Sequence, residues 1–436
     1  MLEKLLLLLF LYLPFQLAIN PAPGIDLASM RLFVLIIFFF WLLRGLIKKK
    51  LLIPFSATTA LLLSFLFINA FSLFFAENVM WGLRKLLFFL SIFPLYFIIS
   101  DLLRQNKHLF LKLINFTLIG GFISALIGII QFGAQFVWGI TPTYIFWTKI
   151  ITPFLGNSFS AEVFKHPSWL VNIGGHTFLR AIAFFPDPHM FSFYLGILSL
   201  ISLGMFFNRK KRNFSLPGYF SADFYLFTFL ILFFADLLTF SRGGYLGLLC
   251  GLVFFLLTIF LNNAKNINPL TILSTLSILF VIIFLFSSSN NIIAQRFLST
   301  FNPAEGSNSG RLEIWRQSLN IIREYPLIGV GLGNYSLTIK PSTDYREPIY
   351  AHNIFLDIAS ESGVLNALIW LLLLSVAFAK FYNIYKRKED FLFLGTASSL
   401  IVFTIHSLFE TPLFSIQVLT LVILIFALTS LQKYDS

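Results

Sequence analysis

Residues 29–50 read SMRLFVLIIFFFWLLRGLIKKK, an apolar run that ends in three lysines. A helix needs about 20 apolar residues to cross the bilayer core, and this run supplies them. Similar runs recur along the whole 436-residue chain, which is 58% hydrophobic and 11% charged. Because these runs are continuous and do not alternate, they favour helices over transmembrane strands. We therefore predict an all-α polytopic membrane protein.

The apolar runs predict about twelve transmembrane helices in a single integral membrane domain, 1–436. They lie near residues 5–20, 29–47, 51–75, 79–100, 109–137, 183–207, 219–238, 242–261, 269–287, 353–380, 391–409 and 412–431. The first run is also compatible with a secretory signal, a choice that leaves the other loops on the same side.

The basic clusters are short and lie between the apolar runs. The clusters follow even-numbered spans and lie at Lys48–Lys50, Arg104–Lys112, Arg209–Arg212, Lys265, Lys386–Lys388 and Lys433. Under the positive-inside rule this places the clusters and both termini in the cytoplasm. The same distribution argues against nucleic acid as the reason for the net charge of +12. The single cysteine, Cys250, excludes an intramolecular disulfide.

Two long external loops follow from this topology, over 138–182 and 288–352. The second loop contains an amphipathic helix that we expect to begin at a Ser309 cap and to stop before Pro326. The sequence GVGLGNY lacks the strand and helix that flank a nucleotide fingerprint, so we interpret it as a turn. In the first loop, Trp138, Tyr144 and Trp147 suit an interfacial position.

Polar and ionisable residues from five parts of the chain reach the predicted outer face. They are Arg180, Asp187, His189, Arg242, Arg311, Arg316, Arg323, His352, Asn353, Asp357, Glu361, His406 and Glu410. Each has a plain structural interpretation: an arginine as an interfacial anchor, a histidine as a helix cap, and Asp187 as part of a turn. The positive-inside rule nevertheless predicts few external arginines, so Arg180, Arg242 and Arg311 point to an external anion.

A lipid diphosphate at the membrane surface is the anion that fits best. Arginine pairs phosphate oxygens bidentately and stabilises charge as a diphosphate leaves. A histidine with a near-neutral pKa can accept the proton of an acceptor hydroxyl. Neither an Asp-x-Asp pair nor a His-x-x-x-His spacing supports a metal site, and we expect neither a metal nor another cofactor.

With these motifs the chain resembles the O-antigen ligase and O-antigen polymerase superfamily of bacterial membrane glycosyltransferases. The motifs are RAIAFFPDPH at 180–189, SRGG at 241–244, GRLEIW at 310–315, YPLIGVGLGNY at 325–335 and HN at 352–353. Ligases of this family carry His-Asn, nine residues, then Gly-x-x-Gly. Here residues 354–362 precede Gly363, and Asn366 replaces the second glycine.

The resemblance implies a fold similar to C-type glycosyltransferases and a metal-independent, inverting transfer in the bacterial inner membrane. It assigns Arg180 and Arg242 to the donor diphosphate, His352 to acceptor activation and Arg311 to a less defined donor contact. Asn353, His189, Asp187, Glu361 and His406 are expected as supporting residues. The implied partners are an undecaprenyl-diphosphate-linked glycan, a lipid A core or other glycolipid acceptor, and the bilayer, with the active face in the periplasm.

Two alternatives to a ligase remain open. A polymerase would join lipid-linked repeat units, and the fifteen residues between Arg180 and Gly196 match a spacing described for polymerase loops. A transporter or flippase would instead require charges near the bilayer midplane and broken helices in two related halves. A single external pocket shared by Arg180 and His352 would favour a transferase.

Overall fold

The structure is a computed structural model. It describes residues 1–22, 25–51, 53–165, 168–212, 220–263, 291–301, 306–345 and 348–431. The helices are α1 Leu2–Tyr12, α2 Ser29–Lys48, α3 Ala57–Ser72, α4 Val79–Ile92, α5 Pro94–Gln105, α6 Leu109–Trp138, α7 Ile140–Leu155, α8 Asn157–Lys165, α9 Pro188–Arg212, α10 Ala222–Leu237, α11 Arg242–Asn263, α12 Ile292–Leu298, α13 Gly306–Glu324, α14 Tyr335–Ile339, α15 Ile354–Ser362, α16 Val364–Lys388, α17 Phe391–His406 and α18 Ile416–Leu428.

Long apolar helices dominate, which confirms an all-α polytopic membrane protein. Within the described ranges, seven helical segments are long and apolar enough to cross a membrane: Ser29–Lys48, Ala57–Phe75, Val79–Gln105, Leu109–Trp138, Pro188–Lys210, Arg242–Leu261 and Val364–Lys388. Three further predicted spans correspond to the shorter helices α10, α17 and α18. The predicted span at 269–287 lies outside the described residues.

The first predicted span, 5–20, is wrong as a membrane-crossing helix. α1 ends at Tyr12 and a 3-10 turn follows over Leu13–Phe15, where Pro14 cannot donate to a continuing helix. The chain then forms an antiparallel hairpin of strands β1, Ala18–Ala22, and β2, Ile25–Ala28. α1 packs against α6, and Leu6 is fully buried in the common core.

The two ends of the helical bundle differ in charge. At one end, the Nη2 of Arg44 donates to Gln105 at 2.5 Å, and the Asn106 amide lies 3.1 Å from Glu3. The clusters around Lys48 and Arg104 lie at this end of α2 and α5. The first residues of α2 and α4 therefore mark the opposite end of the bundle, which we call the site end.

The centre of the bundle is α9, which is buried along its length. It packs against α10 and α17. Small residues allow the closest approach, because a Cβ at Gly204 would lie 3.1 Å from the Cα of Gly395. This packing brings the first turn of α9 and the last turn of α17 together at the site end.

The two loop segments of the site end are largely structured. The first contains α7, α8 and an antiparallel hairpin of β3, Leu170–Ile173, and β4, His176–Leu179. The second contains α12, α13 and α14. α13 is the predicted amphipathic helix, but it begins at Gly306, so Ser309 lies inside it and is not its cap. Trp138 is exposed, whereas Trp147 is buried and donates to the carbonyl of Ala183.

The predicted span at 353–380 is two helices. α15 ends at Ser362, and α16 begins at Val364 after a break at Gly363, whose φ is 88°. An added Cβ at Gly363 would overlap the carbonyl oxygen of Leu327. The HN motif therefore precedes a separate short helix and does not open a membrane span directly.

The GVGLGNY segment is a turn, as predicted. Gly329, Gly331 and Gly333 all have positive φ, which glycine adopts without strain. The turn packs against the connection between α3 and α4, where Asn334 accepts a hydrogen bond from the backbone N–H of Asn78 at 2.7 Å. It fixes α15 and α16 against α4.

Candidate active site

The HN motif begins α15 and attaches this helix to the loop that follows α17. The Oδ1 of Asn353 accepts hydrogen bonds from the backbone N–H groups of Phe355 and Leu356, a normal N-cap arrangement. Its side-chain amide donates to the carbonyl of Leu408 at 3.2 Å. The backbone N–H of Ile354 donates to the carbonyl of Ser407 at 2.9 Å. Asn353 is therefore a positioning residue for α15.

His352 contacts a carboxylate that follows α17. Its Nδ1 donates to the Oε2 of Glu410 at 2.8 Å, and the Nη2 of Arg311 donates to the Oε1 of the same carboxylate at 2.5 Å. The His352 side chain is 39% exposed, whereas that of Glu410 is 9% exposed. Glu410 thus orients the imidazole and leaves its Nε2 directed away from the carboxylate.

Asp357 holds the two backbone segments of this pair together. Its Oδ1 accepts from the backbone N–H of Ala351 at 2.8 Å, and its Oδ2 accepts from the hydroxyl of Thr411. Ala351 directly precedes His352 in sequence, and Thr411 directly follows Glu410. Trp315 of α13 also donates to the carbonyl of Ala351, at 2.9 Å. His352 itself has φ 50°, a left-handed conformation that a non-glycine residue adopts only when its surroundings impose it.

Charge pairing shifts both groups toward their ionised forms. The negative charge of Glu410 raises the pKa of His352, although burial opposes this effect. Burial by itself raises the pKa of Glu410, but the positive charges of His352, His189 and Arg311 hold that pKa well below its usual value. The pair therefore exists as imidazolium and carboxylate over a wider pH range than isolated side chains would allow.

Arg180 lies in the buried wall of the site. Its Nε donates to the carbonyl of Thr239 at 2.6 Å and its Nη1 to that of Ser168 at 2.9 Å. Its Nη2 is buried and has no hydrogen-bond partner within the described part of the chain. Burial and the positive charge of Arg296 lower the pKa of Arg180 to about 9. A buried donor of this kind suits an anionic ligand.

Two glutamines of α6 position the Arg180 segment. Gln131 donates to the carbonyl of Arg180 and accepts from the backbone N–H of Ile182, both at 2.9 Å. Gln135 accepts from the backbone N–H of Leu179 at 2.8 Å and donates to its carbonyl at 2.9 Å. The only sequence signal for this role is a pair of amides at i and i+4 in an apolar helix.

Arg242 and Arg296 add two cations to the site. Together with Arg180 they form the group that we call the arginine wall. Arg242 is the first residue of α11 and donates to the carbonyl of Ser299 at 3.2 Å. Arg296 of α12 donates to the carbonyl of Phe240 at 3.2 Å and lies close enough to Arg180 to affect its pKa. Arg296 was absent from the sequence-based site, because an isolated arginine in a loop carries no motif.

His189 and His406 meet through one hydroxyl. Ser241 Oγ lies 2.9 Å from the Nδ1 of His189 and 3.1 Å from the Nε2 of His406. The Nε2 of His189 lies 3.7 Å from Glu410, so this bridge adjoins the His352 pair. The glycines of SRGG permit the packing, since a Cβ at Gly243 would lie 2.8 Å from the ring of His406.

Asp187 has the turn role that its position between two prolines suggested. Its Oδ1 accepts from the backbone N–H groups of His189 and Met190, at 2.8 and 3.0 Å, and so caps α9. Burial and the charge of Glu410 raise its pKa to about 6.

Glu361, in contrast, does not join His352. It lies at the far end of α15, where its carboxylate pairs with Lys85 of α4 at 2.5 Å. Asn366, which replaces the second glycine of the ligase pattern, donates to the hydroxyl of Ser362 at 2.8 Å. This bond bridges the break between α15 and α16, so the altered position retains a structural role.

Comparison with known proteins agrees with this geometry. Residues 227–371 match the family described as O-antigen ligase, a range that includes Arg242, Arg311 and His352. Within this range the chain is similar to the O-antigen ligase family. Arg180 and Glu410 lie outside the matched range, so it is their contacts that connect them to the family motifs.

One similar curated protein is named as an oligosaccharyltransferase. The chain is 29% identical over 246 residues to the ComP-specific O-oligosaccharyltransferase of Acinetobacter baylyi (strain ATCC 33305 / BD413 / ADP1). The alignment covers 53% of this chain and 41% of the relative, so the chain matches about two fifths of that protein's length.

Proposed function

We propose that the protein transfers a glycan from an undecaprenyl-diphosphate carrier to a sugar hydroxyl of lipid A core. The observation that carries this proposal is the His352–Glu410 pair, in which Nδ1 and Oε2 lie 2.8 Å apart. The pair is in one compact site with the arginine wall. Arg180 and Glu410 interact electrostatically, which links the wall to the histidine. One such site at the bundle end supports a transferase over a transport path through the membrane.

The arginine wall supplies the donor half of the reaction. The unpaired Nη2 of Arg180 and the guanidinium of Arg242 would hold the diphosphate oxygens. As the bond between the anomeric carbon and the diphosphate oxygen breaks, its electron pair moves to the diphosphate. Fixed positive charge stabilises the leaving group, and Arg296 adds to that charge.

His352 supplies the acceptor half. Because Nδ1–H donates to Glu410, the neutral imidazole has its lone pair on Nε2. Nε2 would take the proton of the acceptor hydroxyl while the hydroxyl oxygen attacks the anomeric carbon. The imidazolium formed would be stabilised by Glu410. A single displacement of this kind inverts the configuration at that carbon and needs no metal ion.

The charge of the bundle ends supports a periplasmic site. The clusters at Lys48–Lys50 and Arg104–Lys112 lie at the end opposite to His352. The positive-inside rule assigns such clusters to the cytoplasmic side of the inner membrane. Lipid A core and the carrier-linked glycan would then meet at the periplasmic face.

A second candidate function differs only in the acceptor. The name of the Acinetobacter relative describes an O-oligosaccharyltransferase specific for ComP, and a ComP-like acceptor is therefore the alternative. A polymerase, which uses a lipid-linked repeat unit as acceptor, would share the same donor chemistry. The arginine wall is common to all three reactions.

The test is a transfer assay with purified full-length protein, undecaprenyl-diphosphate glycan and lipid A core, in the presence of EDTA. We expect a glycan-bearing lipid A, and a loss of about 10²–10⁴ in rate for His352→Ala. Arg316→Ala, a change at an exposed arginine of α13, is the matched control. Extended glycan on the carrier would identify a polymerase instead. Transfer to lipid A core at an unchanged rate by His352→Ala would refute the assigned base.

A further inference from the structure

A second group of cationic and aromatic side chains lies at the site end and takes no part in the proposed transfer step. It is formed by the first turn of α2, the first two turns of α4 and the segment before His352. Its members are Arg31, Trp81, Arg84, Lys85, Tyr345 and Tyr350. We call it the cation–aromatic patch.

The patch is assembled by contacts between charges and ring faces. The guanidinium carbon of Arg84 lies 4.6 Å from the ring centroid of Tyr345, and Trp81 meets that ring edge-on at 5.5 Å. The ammonium of Lys85 lies 5.6 Å from the ring of Tyr350 and 4.3 Å from that of Phe414. These pairs order the cations and leave aromatic surface beside them.

The patch has an excess of positive charge. Its three cations, Arg31, Arg84 and Lys85, outnumber the two carboxylates that interact with the patch, Glu361, which pairs with Lys85, and Asp357. Arg84 is exposed and forms no ion pair within the ranges that the structure describes. Arginine and lysine are disfavoured at the end of a bundle that lies opposite its basic clusters. Three cations here therefore call for an anionic partner.

The patch shares no residue with the arginine wall and is connected to the His352 pair through the loop after α17. In the loop after α17, Glu410 contacts His352 and Arg311, whereas Phe414 stacks on Tyr350 at 5.7 Å. α15 begins just after His352 and carries Glu361 near its far end. Nine helical residues span about 13 Å. A short glycan held at the patch can therefore reach the histidine.

We propose that the cation–aromatic patch is an acceptor subsite that binds a phosphorylated sugar of the acceptor glycolipid. This rests on the transferase function proposed above. Arg84 and Arg31 pair with the phosphate, and the rings of Tyr345 and Trp81 cover the apolar C–H face of the sugar. The donor diphosphate and the acceptor phosphate then occupy separate cationic sites near His352, which prevents the acceptor from competing for the donor site.

The first experiment measures binding without turnover. Full-length protein in nanodiscs of neutral phosphatidylcholine is titrated with a bisphosphorylated diglucosamine glycolipid, and then with the same glycolipid after phosphatase treatment. Arg84→Gln should weaken binding of the phosphorylated probe about tenfold, the value of one charge-assisted contact, and should leave binding of the dephosphorylated probe unchanged. The matched control, Arg323→Gln at an exposed position of α13, should behave as wild type.

Two further arms separate sugar recognition from lipid phosphate recognition. Tyr345→Phe should retain binding of the phosphorylated probe, and Tyr345→Ala should lose it, because the ring and not the hydroxyl covers the sugar. Phosphatidylglycerol at equal mole fraction should not displace the probe. Equal displacement by phosphatidylglycerol, or wild-type binding by Arg84→Gln, would overturn the subsite.

Transfer kinetics distinguish this proposal from the function on which it rests. In a working transfer assay, Arg84→Gln should raise the KM for the phosphorylated acceptor and leave kcat and the donor KM unchanged. Transfer with an unchanged acceptor KM would overturn the subsite alone. Arg84-dependent binding by a protein that transfers no glycan would overturn the transferase function and leave a phosphoglycolipid site.

Discussion

His352 donates a hydrogen bond through Nδ1 to the Oε2 of Glu410 at 2.8 Å, although the two residues are 58 positions apart in sequence. The contact joins the start of α15 to the loop after α17. It determines which imidazole nitrogen faces an acceptor, and Arg311 holds the other oxygen of the same carboxylate at 2.5 Å. His352, for which the sequence predicted other supporting residues, is therefore one member of a charged pair with Glu410.

Glu410→Gln should move the pH dependence of transfer. The negative charge of Glu410 is the largest cause that raises the pKa of His352, so the neutral base form is populated only above that raised value. Without the charge the pKa falls, and the acidic limb of kcat/KM should move to lower pH. The plateau rate should also fall, by about 10- to 100-fold, because the imidazolium formed in the transition state loses a charge-assisted hydrogen bond. Initial rates across a pH series measure both effects.

The matched control for that variant is Glu77→Gln, a change at an exposed carboxylate beside α4. It should leave the acidic limb of the kcat/KM profile at its wild-type pH and the plateau rate unchanged. If Glu410→Gln lowered the plateau and left the limb at its wild-type pH, His352 would not be the titrating base.

Arg180→Lys should impair donor use in a folded protein. Two guanidinium nitrogens of Arg180 hold the carbonyls of Thr239 and Ser168, and the third remains for a ligand. A single ammonium cannot replace this fork. We expect kcat/KM for the lipid-linked donor to fall about 10- to 100-fold. Arg323→Lys is the control, and wild-type donor kinetics in Arg180→Lys would remove Arg180 from the donor site.

Ser241→Ala should destabilise the site end. The hydroxyl bridges His189 and His406 at 2.9 and 3.1 Å, and its loss leaves a half-buried nitrogen of His189 and a buried nitrogen of His406 without that partner. Unsatisfied buried polar groups cost about 1–3 kcal/mol, so the thermal unfolding midpoint should fall. Ser375→Ala, at an exposed hydroxyl of α16, should leave it unchanged. Equal midpoints for the two variants would show that the serine bridge contributes no stability.

Gly363→Ala should displace α15 and with it the catalytic histidine. The added methyl group would overlap the carbonyl oxygen of Leu327, and the φ of 88° is unfavourable for alanine. We expect a lower unfolding midpoint and a large loss of transfer. Gly310→Ala is the contrasting control, because that glycine lies in α13 with open space around it, and alanine there should be neutral or stabilising by up to about 1 kcal/mol. A Gly363→Ala protein with normal stability and activity would contradict the assigned role of the break.

Sequence patterns predicted the long apolar helices well, because span length and hydrophobicity are local properties. They failed where local cues conflicted. The run at 5–20 is apolar enough for a span, but Pro14 and the following hairpin end the helix early. The run at 353–380 is continuous in composition, yet Gly363 divides it.

The candidate site was predicted in part. Arg180, Arg242, Arg311 and His352 were singled out by motif and by their excess of positive charge on one face, and the structure brings them to one end of the bundle. Glu361 was grouped with them because it follows His352 on the same predicted helix, but it turns to Lys85. Glu410 was noticed as an external acid and given no role, since no short motif connects it to His352.

The amino-acid sequence by itself determined that this is a helical membrane protein that resembles the O-antigen ligase superfamily, with its polar residues gathered opposite the basic clusters. Those features depend on hydrophobic length, charge bias and short motifs, which act within one helix or loop. Only the tertiary structure decided that Glu410 is the partner of His352, that Arg296 adds to the arginine wall, and that Lys85 forms an ion pair with Glu361. Hydrogen bonds and ion pairs require atoms within about 4 Å, and packing of α9 against α17 brings distant segments to that distance.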